Sequence, residues 1–185
     1  MPTPGDYDNP WKQALEQPFP EFIAFYFPDA ARQIDWSRGH TFLDKDLQQI
    51  ARDAELGRRH VDKLVRVFMH DGSEDWVCVH IEVRGRHDSA FARRMFVYND
   101  RIFDRYDRPV ATLAVLADDD SGWRPDRSGF DLLGCSHRLT YPVAKLIDRE
   151  GELAALPVDP NPFALVTAAH LFIRARRAMH PTTAI

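Results

Sequence analysis

The chain of 185 residues has only two cysteines, no long apolar segment and no net positive charge, and each of these absences excludes a class of protein. Cys78 and Cys135 cannot form a disulfide framework or a four-ligand zinc site. No apolar run approaches the roughly 18 residues that a transmembrane helix needs, so we expect no membrane partner. A formal net charge of -4 provides no overall basic field to attract nucleic acid, so any such role depends on a local basic surface.

Motifs of other functional classes are also missing. Residues 1–15, MPTPGDYDNPWKQAL, have neither a positive region nor an apolar core, so we expect no signal peptide and a cytoplasmic protein. No Walker loop, GxGxxG or zinc-protease motif occurs, and no nucleophile-elbow context surrounds Ser121, Ser128 or Ser136. Hydrophobic residues make up 44% and charged residues 28% of the chain, which is typical of a globular protein, and the length predicts one domain.

The first third of the chain has a helical pattern. Pro20 followed by Glu21 predicts a helix start, because proline suits the first turn and an acid there interacts favourably with the helix dipole. DAARQIDWSRG predicts a short helix or turn that stops at Gly39. FLDKDLQQIARDAE predicts another helix that ends near Gly57.

The middle of the chain alternates between strand and helix patterns. Residues 60–69 and 76–85 are rich in β-branched and apolar residues, and Asp71-Gly72 between them is a hairpin signal. Residues 89–106 carry an apolar stripe at helical spacing, which consists of Phe91, Met95, Tyr98, Ile102 and Tyr106. VATLAVLAD, at residues 110–118, is a continuous apolar run that predicts a strand buried on both faces.

The last third predicts one or two further strands in FDLLGCSHRLTYPVAKLID, followed by a terminal helix. That helix is PFALVTAAHLFIRARRAM, with Asn161 as N-cap and Pro162 at its first position. An edge strand or this helix could support a homodimer. The elements together predict a layered α/β or α+β fold. We expect a loose lead-in at residues 1–9, one domain over residues 10–178 and a tail over residues 179–185.

One predicted strand carries charges that a buried strand does not need. In VHIEVRGR, at residues 79–86, Glu82 and Arg84 share a face because side chains alternate along a strand. Asp62 lies near the start of the preceding strand, which pairs with the end of the second strand in an antiparallel hairpin, so Asp62 and Glu82 are predicted neighbours. Two adjacent carboxylates repel unless a cation lies between them, and hard oxygen ligands suit Mg²⁺ or Mn²⁺. A positive side chain beside them could orient a metal-bound water or stabilise charge on a phosphate.

A structural alternative explains the same residues without chemistry. Acid–base pairs across neighbouring strands are common. Asp62 or Glu82 could therefore form a surface salt bridge with Arg84 or Lys63. The spacing alone does not choose between a metal site and a salt bridge.

Four segments, taken in order, resemble a known nuclease family. They are DKL at residues 62–64, VHIEVRG at residues 79–85, RMFVY in the following helix and VATLAVLAD in the buried strand. This set is similar to the YhgA-like transposase and recombination-promoting nuclease (Rpn) group of the PD-(D/E)XK nuclease superfamily. FLDKDL also resembles an acidic segment that the family often has upstream of the first strand. The resemblance covers roughly residues 20–120, more than half of the chain.

The resemblance implies a restriction-endonuclease-like three-layer α/β core, with element order αβββαβ and a mixed central sheet flanked by helices, that cuts DNA with Mg²⁺ or Mn²⁺. It places Asp62 and Glu82 on the two acids of the family, as catalytic residues and metal ligands. The main-chain carbonyl of Val83 would be a further metal ligand. Arg94 and Tyr98 match the Arg and Tyr of the helix after the hairpin and would support the site.

Arg84 departs from the family pattern. The superfamily has Lys at this position and the group usually has Gln. Arginine keeps the charge of lysine but is bulkier and does not readily give up a proton, so the replacement is not conservative. Arg84 is therefore a candidate catalytic residue that positions water or the scissile phosphate. Glu21, on the first helix, is a further candidate carboxylate in support of the site.

A basic stripe is the remaining nucleic-acid signal. Arg94, Tyr98, Arg101 and Arg105 recur at helical spacing after the hairpin. Arg101 and Arg105 are candidates for contact with DNA phosphates. The alternative is a solvated helix face on which the arginines pair with Asp100, Asp104 and Asp107.

The sequence and the resemblance together predict a divalent-metal-dependent DNA endonuclease linked to recombination or transposition. One alternative is a catalytically degenerate member of the same family that binds DNA or another protein. Another is a purely structural protein whose charges form surface ion pairs. Arg84 favours the degenerate member, whereas the presence of both Asp62 and Glu82 favours the enzyme.

Overall fold

A five-stranded mixed sheet with helices on both faces forms the centre of the fold in this computed structural model. The structure describes residues 18–53, 61–72 and 77–179, and within these ranges the side chains of residues 51–53, 61–62, 77–78, 80–82 and 177–179 lie outside the description. The predicted lead-in and residues 180–185 of the predicted tail also lie outside it. The helices are α1 (Phe19–Tyr26), α2 (Pro28–Ala31), α3 (Asp44–Asp53), α4 (Phe91–Tyr106) and α5 (Pro162–Met179), with 3₁₀ turns at Trp36–Arg38, Leu146–Glu152 and Leu156–Val158. The strands are β1 (Thr41–Phe42), β2 (Val61–Val67), β3 (Val77–Arg84), β4 (Val110–Leu116), β5 (Arg127–Leu132), β6 (Cys135–Thr140) and β7 (Val143–Lys145).

The strand order of the central sheet is β1-β2-β3-β4-β7. β1 pairs with β2, and β2 with β3, in antiparallel fashion, whereas β4 runs parallel to β3 and β7 parallel to β4. Asp71 and Gly72 lie in and just after the turn that follows β2, as the hairpin signal predicts, and Gly72 has a φ of 65° that glycine adopts readily. Helix α4 provides the crossover that a parallel β3–β4 pair requires. The prediction of an α/β fold with a mixed sheet flanked by helices is therefore confirmed.

The alternation of strand side chains divides the core between the two faces of the sheet. One face packs against α1 and α5, in a cluster that includes Val65 and Phe163. The opposite face packs against α3 and α4, where Leu64 lies in a cluster with Tyr98. A side chain of a central strand therefore points either towards α1 and α5 or towards α3 and α4, depending on which face of the sheet it occupies.

Acidic residues flank helix α4 at both ends. The predicted apolar stripe of the helix faces the sheet. Just before the helix, Oδ1 of Asp88 accepts a hydrogen bond from the N–H of Ala90 at 3.0 Å. At the other end Asp107 adopts a left-handed conformation with φ 48°, and its N–H donates to the carbonyl of Phe103 at 2.8 Å. The helix thus ends shortly before Pro109, as the sequence predicts.

The segment after β4 contains more strands than the sequence predicts. Three are present instead of one or two, because β5 and β6 form a separate hairpin and β7 joins the central sheet. The hairpin turn is Leu133-Gly134, and both residues have positive φ values, 53° and 82°. Two-residue turns of this kind usually carry Asn-Gly or Asp-Gly, so a leucine gives no turn signal. Within the hairpin, a Cβ at Gly129 would lie 2.2 Å from the carbonyl oxygen of His137, so only glycine fits there.

Helix α5 begins as the sequence predicts. Oδ1 of Asn161 accepts a hydrogen bond from the N–H of Phe163 at 2.9 Å, and Pro162 occupies the first position. The inner side of the helix packs against α1, where the hydroxyls of Tyr26 and Thr167 are hydrogen-bonded at 2.7 Å. Among the described helices, none combines the length and the apolar character that crossing a membrane requires.

Candidate active site

The register of β2 and β3 places Asp62 directly opposite Glu82. Cα atoms of directly paired residues in antiparallel strands are about 4.5–5.5 Å apart. Glu82 is paired on its other side with Ala114 of β4, so it lies where the antiparallel half of the sheet meets the parallel half. The predicted pairing of the two backbone positions is therefore confirmed. The side chains of Asp62 and Glu82 are outside the described part of the chain, so contact between their carboxylates stays a prediction.

Arg84, two residues further along β3, lies in a buried ion-pair cluster with Asp88 and Arg94. Nη2 of Arg84 and Nη1 of Arg94 approach the same oxygen, Oδ2 of Asp88, at 2.9 and 2.8 Å. The two arginines are only 8% and 6% exposed. Charge-assisted hydrogen bonds of this length offset the cost of removing arginine from water. One carboxylate thus connects the end of β3 to the first turn of α4.

Asp88 is a residue of this site that the sequence did not reveal. Burial by itself raises the pKa of its carboxyl group. Hydrogen bonds from Arg94 and the N–H of Ala90, together with the charges of Arg94 and Arg84, outweigh burial and hold the pKa below its usual range. The only available signal was an acid just before an apolar helical stripe, which is typical of a helix start.

The other predicted site residues are Tyr98, Val83 and Glu21, and they lie on three different elements. Tyr98 is buried on α4, one turn after Arg94. Val83 precedes Arg84 on β3, and metal binding by its carbonyl stays a prediction. Glu21 is exposed on α1, where its carbonyl accepts a hydrogen bond from Nδ2 of Asn161 at 2.9 Å. Since α1 and α4 pack against opposite faces of the sheet, the structure does not bring Glu21 together with the other residues.

The predicted basic stripe of α4 is divided between the interior and the surface. Arg94 and Tyr98 are buried against the sheet and the segment that contains Asp88, whereas Arg101 and Arg105 are exposed. Nη2 of Arg105 donates to a carboxylate of α3, Oδ1 of Asp46, at 2.7 Å. Within the described residues, Arg101 forms no ion pair. Arg101 and Arg105, the two candidates for contact with DNA, are therefore the accessible members of the stripe, and their contact with DNA stays a prediction.

Lys63, the other proposed ion-pair partner in the hairpin, contacts the acidic segment before β2. Its Nζ lies 2.6 Å from Oδ2 of Asp44, in FLDKDL, and its side chain is almost completely buried. The ammonium group also lies 5.2 Å from the ring centroid of Phe42. Asp44 thus anchors the start of α3 against β2.

A second buried ion pair lies at the ends of β4 and β7. Nζ of Lys145 is 2.9 and 2.8 Å from the two carboxylate oxygens of Asp118, and it donates to the carbonyl of Trp123 at 3.0 Å. The ring of Trp123 is also 5.0 Å from that of His87, measured between centroids. Because β3, β4 and β7 are parallel, this pair and Arg84 lie at the same end of the sheet, where the carboxyl ends of these strands meet. The sequence did not reveal this pair.

The residues of the predicted metal site match the preferences of Mg²⁺ and Mn²⁺. Carboxylate oxygens from Asp62 and Glu82, with a main-chain carbonyl from Val83, form a hard donor set. The two acids occupy paired positions on neighbouring strands. Among the described side chains, no group of three or more His, Cys, Asp or Glu could hold a metal ion, but this set does not include the two acids. Residue type and backbone placement therefore fit a hard divalent ion.

Comparison with known proteins gives no match to this arrangement. No family model, no curated protein and no solved structure matches the chain. Any functional assignment of the candidate site therefore depends on its own residues and contacts.

Proposed function

We propose that the protein is a divalent-metal-dependent DNA endonuclease of the PD-(D/E)XK type, linked to recombination or transposition. The observation that carries this proposal is the direct backbone pairing of Asp62 and Glu82 on β2 and β3. Two acids on paired positions provide the oxygen ligands that Mg²⁺ or Mn²⁺ requires. When bound, such an ion lowers the pKa of a coordinated water and neutralises charge on a phosphodiester.

The order of the elements supports a restriction-endonuclease-like core. Helix α1 precedes the three antiparallel strands β1, β2 and β3, and α4 then leads to β4, which is parallel to β3. This order corresponds to αβββαβ, with α2 and α3 as additional helices. The two acids then lie on β2 and β3, which are neighbouring strands of the central sheet.

In the proposed site, Arg84 and Arg94 provide positive charge beside the two acids. Asp88 fixes both guanidinium groups, which therefore hold their positions without substrate. A guanidinium can donate two parallel hydrogen bonds to a phosphate but does not exchange protons at neutral pH. Arg84 therefore orients the scissile phosphate or its water, and Tyr98 holds α4 against the sheet. The exposed Arg101 and Arg105 contact the DNA backbone through their charge.

Nicking of supercoiled plasmid in the presence of Mg²⁺ or Mn²⁺ tests the endonuclease. The wild type should nick, and Asp62→Asn and Glu82→Ala should not. Asp104→Asn is the matched control, because Asp104 is an exposed acid on α4. The proposal is wrong if the wild type is inactive or if Glu82→Ala nicks equally well. Titration calorimetry with Mn²⁺ should show binding to the wild type and to Asp104→Asn, and a loss of binding with Asp62→Asn.

A non-cutting DNA-binding protein is the second candidate, and the burial of Arg84 against Asp88 favours it. A guanidinium held by a carboxylate is less available to substrate than a lysine would be. This candidate predicts that the wild type retains DNA at low salt without nicking it, and that Arg84→Lys gains metal-dependent nicking. The absence of both DNA retention and a metal-dependent rise in melting temperature would instead favour a purely structural role.

A further inference from the structure

The solvent side of helix α5 carries an apolar surface. Leu165 is 60% exposed, Phe172 is 51% exposed and Ile173 is 53% exposed. Ala169, which lies between them in the sequence, is also exposed. At 3.6 residues per turn these four positions form one stripe within a third of the helix circumference. We call Leu165, Ala169, Phe172 and Ile173 the outer stripe.

The outer stripe is distinct from the side of α5 that holds the fold together. The buried side includes Phe163, Ala168 and Leu171, which pack into the core cluster with α1. α5 is therefore apolar on two sides, whereas a surface helix normally has one apolar side and one polar side. A continuous exposed apolar patch on a folded protein is characteristic of an interaction site.

The charges at the two ends of the stripe indicate what covers it. Asp159 is exposed just before the helix, and Arg176 is exposed at its far end, in line with the outer stripe. Within the described residues, neither forms an ion pair. No charged residue lies between them along the stripe. An acidic residue therefore precedes the apolar stripe along the chain, and a basic residue lies at its other end.

Such a surface is complementary to an antiparallel copy of itself. A two-fold axis near Ala169 places Leu165 opposite Ile173 of the second copy and Arg176 opposite the start of the second α5, beside its Asp159. The small side chain at Ala169 allows the two helices to approach closely at the axis. A parallel arrangement would instead bring like charges together. We propose that the outer stripe is a homodimer interface, formed by two antiparallel α5 helices related by two-fold symmetry.

The dimer closes because each copy offers the same surface to the other, so association stops at two chains. Burial of the four apolar side chains drives association, and the Asp159–Arg176 pairs select the antiparallel orientation. The proposal is independent of the nuclease proposal, because no residue of the outer stripe belongs to the candidate active site.

Sedimentation equilibrium of the full chain over a range of concentrations tests the dimer. The wild type should be dimeric, and Phe172→Glu should be monomeric with an unchanged circular dichroism spectrum. Phe103→Glu is the matched control, because Phe103 is also 51% exposed but lies on α4, and this variant should remain dimeric. A wild type that is monomeric at every concentration, or a dimer that survives Phe172→Glu, would overturn the proposal.

Charge variants test the orientation. Asp159→Asn keeps the acceptor that receives the N–H of Asn161 at 2.8 Å but removes the charge, so the dimer should weaken by about tenfold, which corresponds to 1.4 kcal/mol. Arg176→Glu should weaken it further, and Asp159→Arg combined with Arg176→Glu should recover much of the affinity. A double variant as weak as Arg176→Glu alone would exclude the antiparallel arrangement.

Oxidative cross-linking provides a measurement that does not depend on the stability of Phe172→Glu. In a Cys135→Ser background, Ala169→Cys should form a disulfide between two copies under copper phenanthroline more readily than Leu165→Cys, because only position 169 lies at the axis. Equal cross-linking at both positions would contradict the proposed axis.

Discussion

Lys145 and Asp118 form an ion pair that is almost completely removed from water, with their side chains 0% and 4% exposed. Both carboxylate oxygens receive hydrogen bonds from the ammonium group, whose remaining donor is directed to the carbonyl of Trp123. The pair connects the end of the edge strand β7 to the segment after β4. Because all three N–H donors of the lysine have acceptors, the buried charge is tolerated.

We expect Lys145→Met to lower the free energy of unfolding by roughly 3–5 kcal/mol, because it leaves the Asp118 carboxylate buried without its cation. The variant Lys145→Met with Asp118→Asn should recover much of this loss. Urea denaturation of the three proteins measures the difference. Arg124→Met is the control: its pair with Asp148 is about half exposed, so this change should cost less than about 1 kcal/mol. Equal costs at the two sites would show that the Lys145 pair behaves as a surface pair.

Asp88→Ala should be among the most destabilising substitutions of an acid in this chain. It removes a carboxylate that Arg84 and Arg94 share, so two buried guanidinium groups lose an acceptor, at a cost of roughly 3 kcal/mol. Thermal denaturation monitored by circular dichroism measures the loss. Asp131→Ala, which removes the exposed partner of Arg138, should have little effect.

Asp88 should also contribute to acid denaturation. Its pKa in the folded protein lies below its usual value, so the stabilisation is complete above the unfolded pKa of about 3.9 and is lost as pH falls through the lower folded pKa. The free energy of unfolding should therefore fall at acidic pH in the wild type and fall less steeply in Asp88→Asn. Identical slopes for the two proteins would show that the pKa of Asp88 does not change on folding.

The buried hydroxyl of Tyr26 should lower the free energy of unfolding at alkaline pH. Burial raises the pKa of its hydroxyl well above the usual range, and the hydrogen bond with Thr167 and the charge of Arg149 offset only part of this rise. Above the unfolded pKa of about 10, the unfolded chain loses this proton and the folded chain keeps it, so stability decreases as pH rises. Tyr26→Phe should reduce that slope. Some slope should remain, because burial and the neighbouring Asp46 raise the pKa of Tyr106 to about 12.

The turn of the β5–β6 hairpin offers a stabilising substitution. Leu133 has a φ of 53° and is 98% exposed, so its side chain strains the backbone and buries almost no surface. Leu133→Asn should raise the free energy of unfolding by about 0.5–1 kcal/mol, because asparagine adopts positive φ at lower cost. Leu132→Asn is the control: Leu132 is also exposed but has no positive φ, so the change should not stabilise. Urea denaturation would distinguish the two.

Much of the fold is predictable because local signals mark its elements. Pro20, Asp71-Gly72 and Asn161 each correspond to a helix start or a turn in the structure, and none of these signals requires a distant partner. The pairing of Asp62 with Glu82 is predictable for a similar reason, because a hairpin determines its own register.

The remaining features depend on contacts that sequence spacing does not reveal. Lys145 and Asp118 are 27 residues apart, and their pairing follows only from the parallel packing of β4 and β7. The burial of Arg94, in contrast to the exposed Arg101 and Arg105, also depends on contacts that spacing does not reveal. These contacts are with Asp88 and with the sheet beneath α4. The turn at Leu133 is missed for a local reason instead. The turn is of a common type, but leucine is unusual in it and gives no sequence signal.

The close approach of the two hairpin strands at Gly129 has an evolutionary consequence. A single added carbon would collide with the backbone of His137, and backbone atoms cannot move aside as a flexible side chain can. Exposed neighbours such as Leu132 can vary without such a collision. We therefore expect natural variation to accumulate over most of the hairpin while Gly129 remains invariant. A lineage could lose the hairpin by deletion, but it could not keep the hairpin and exchange this residue.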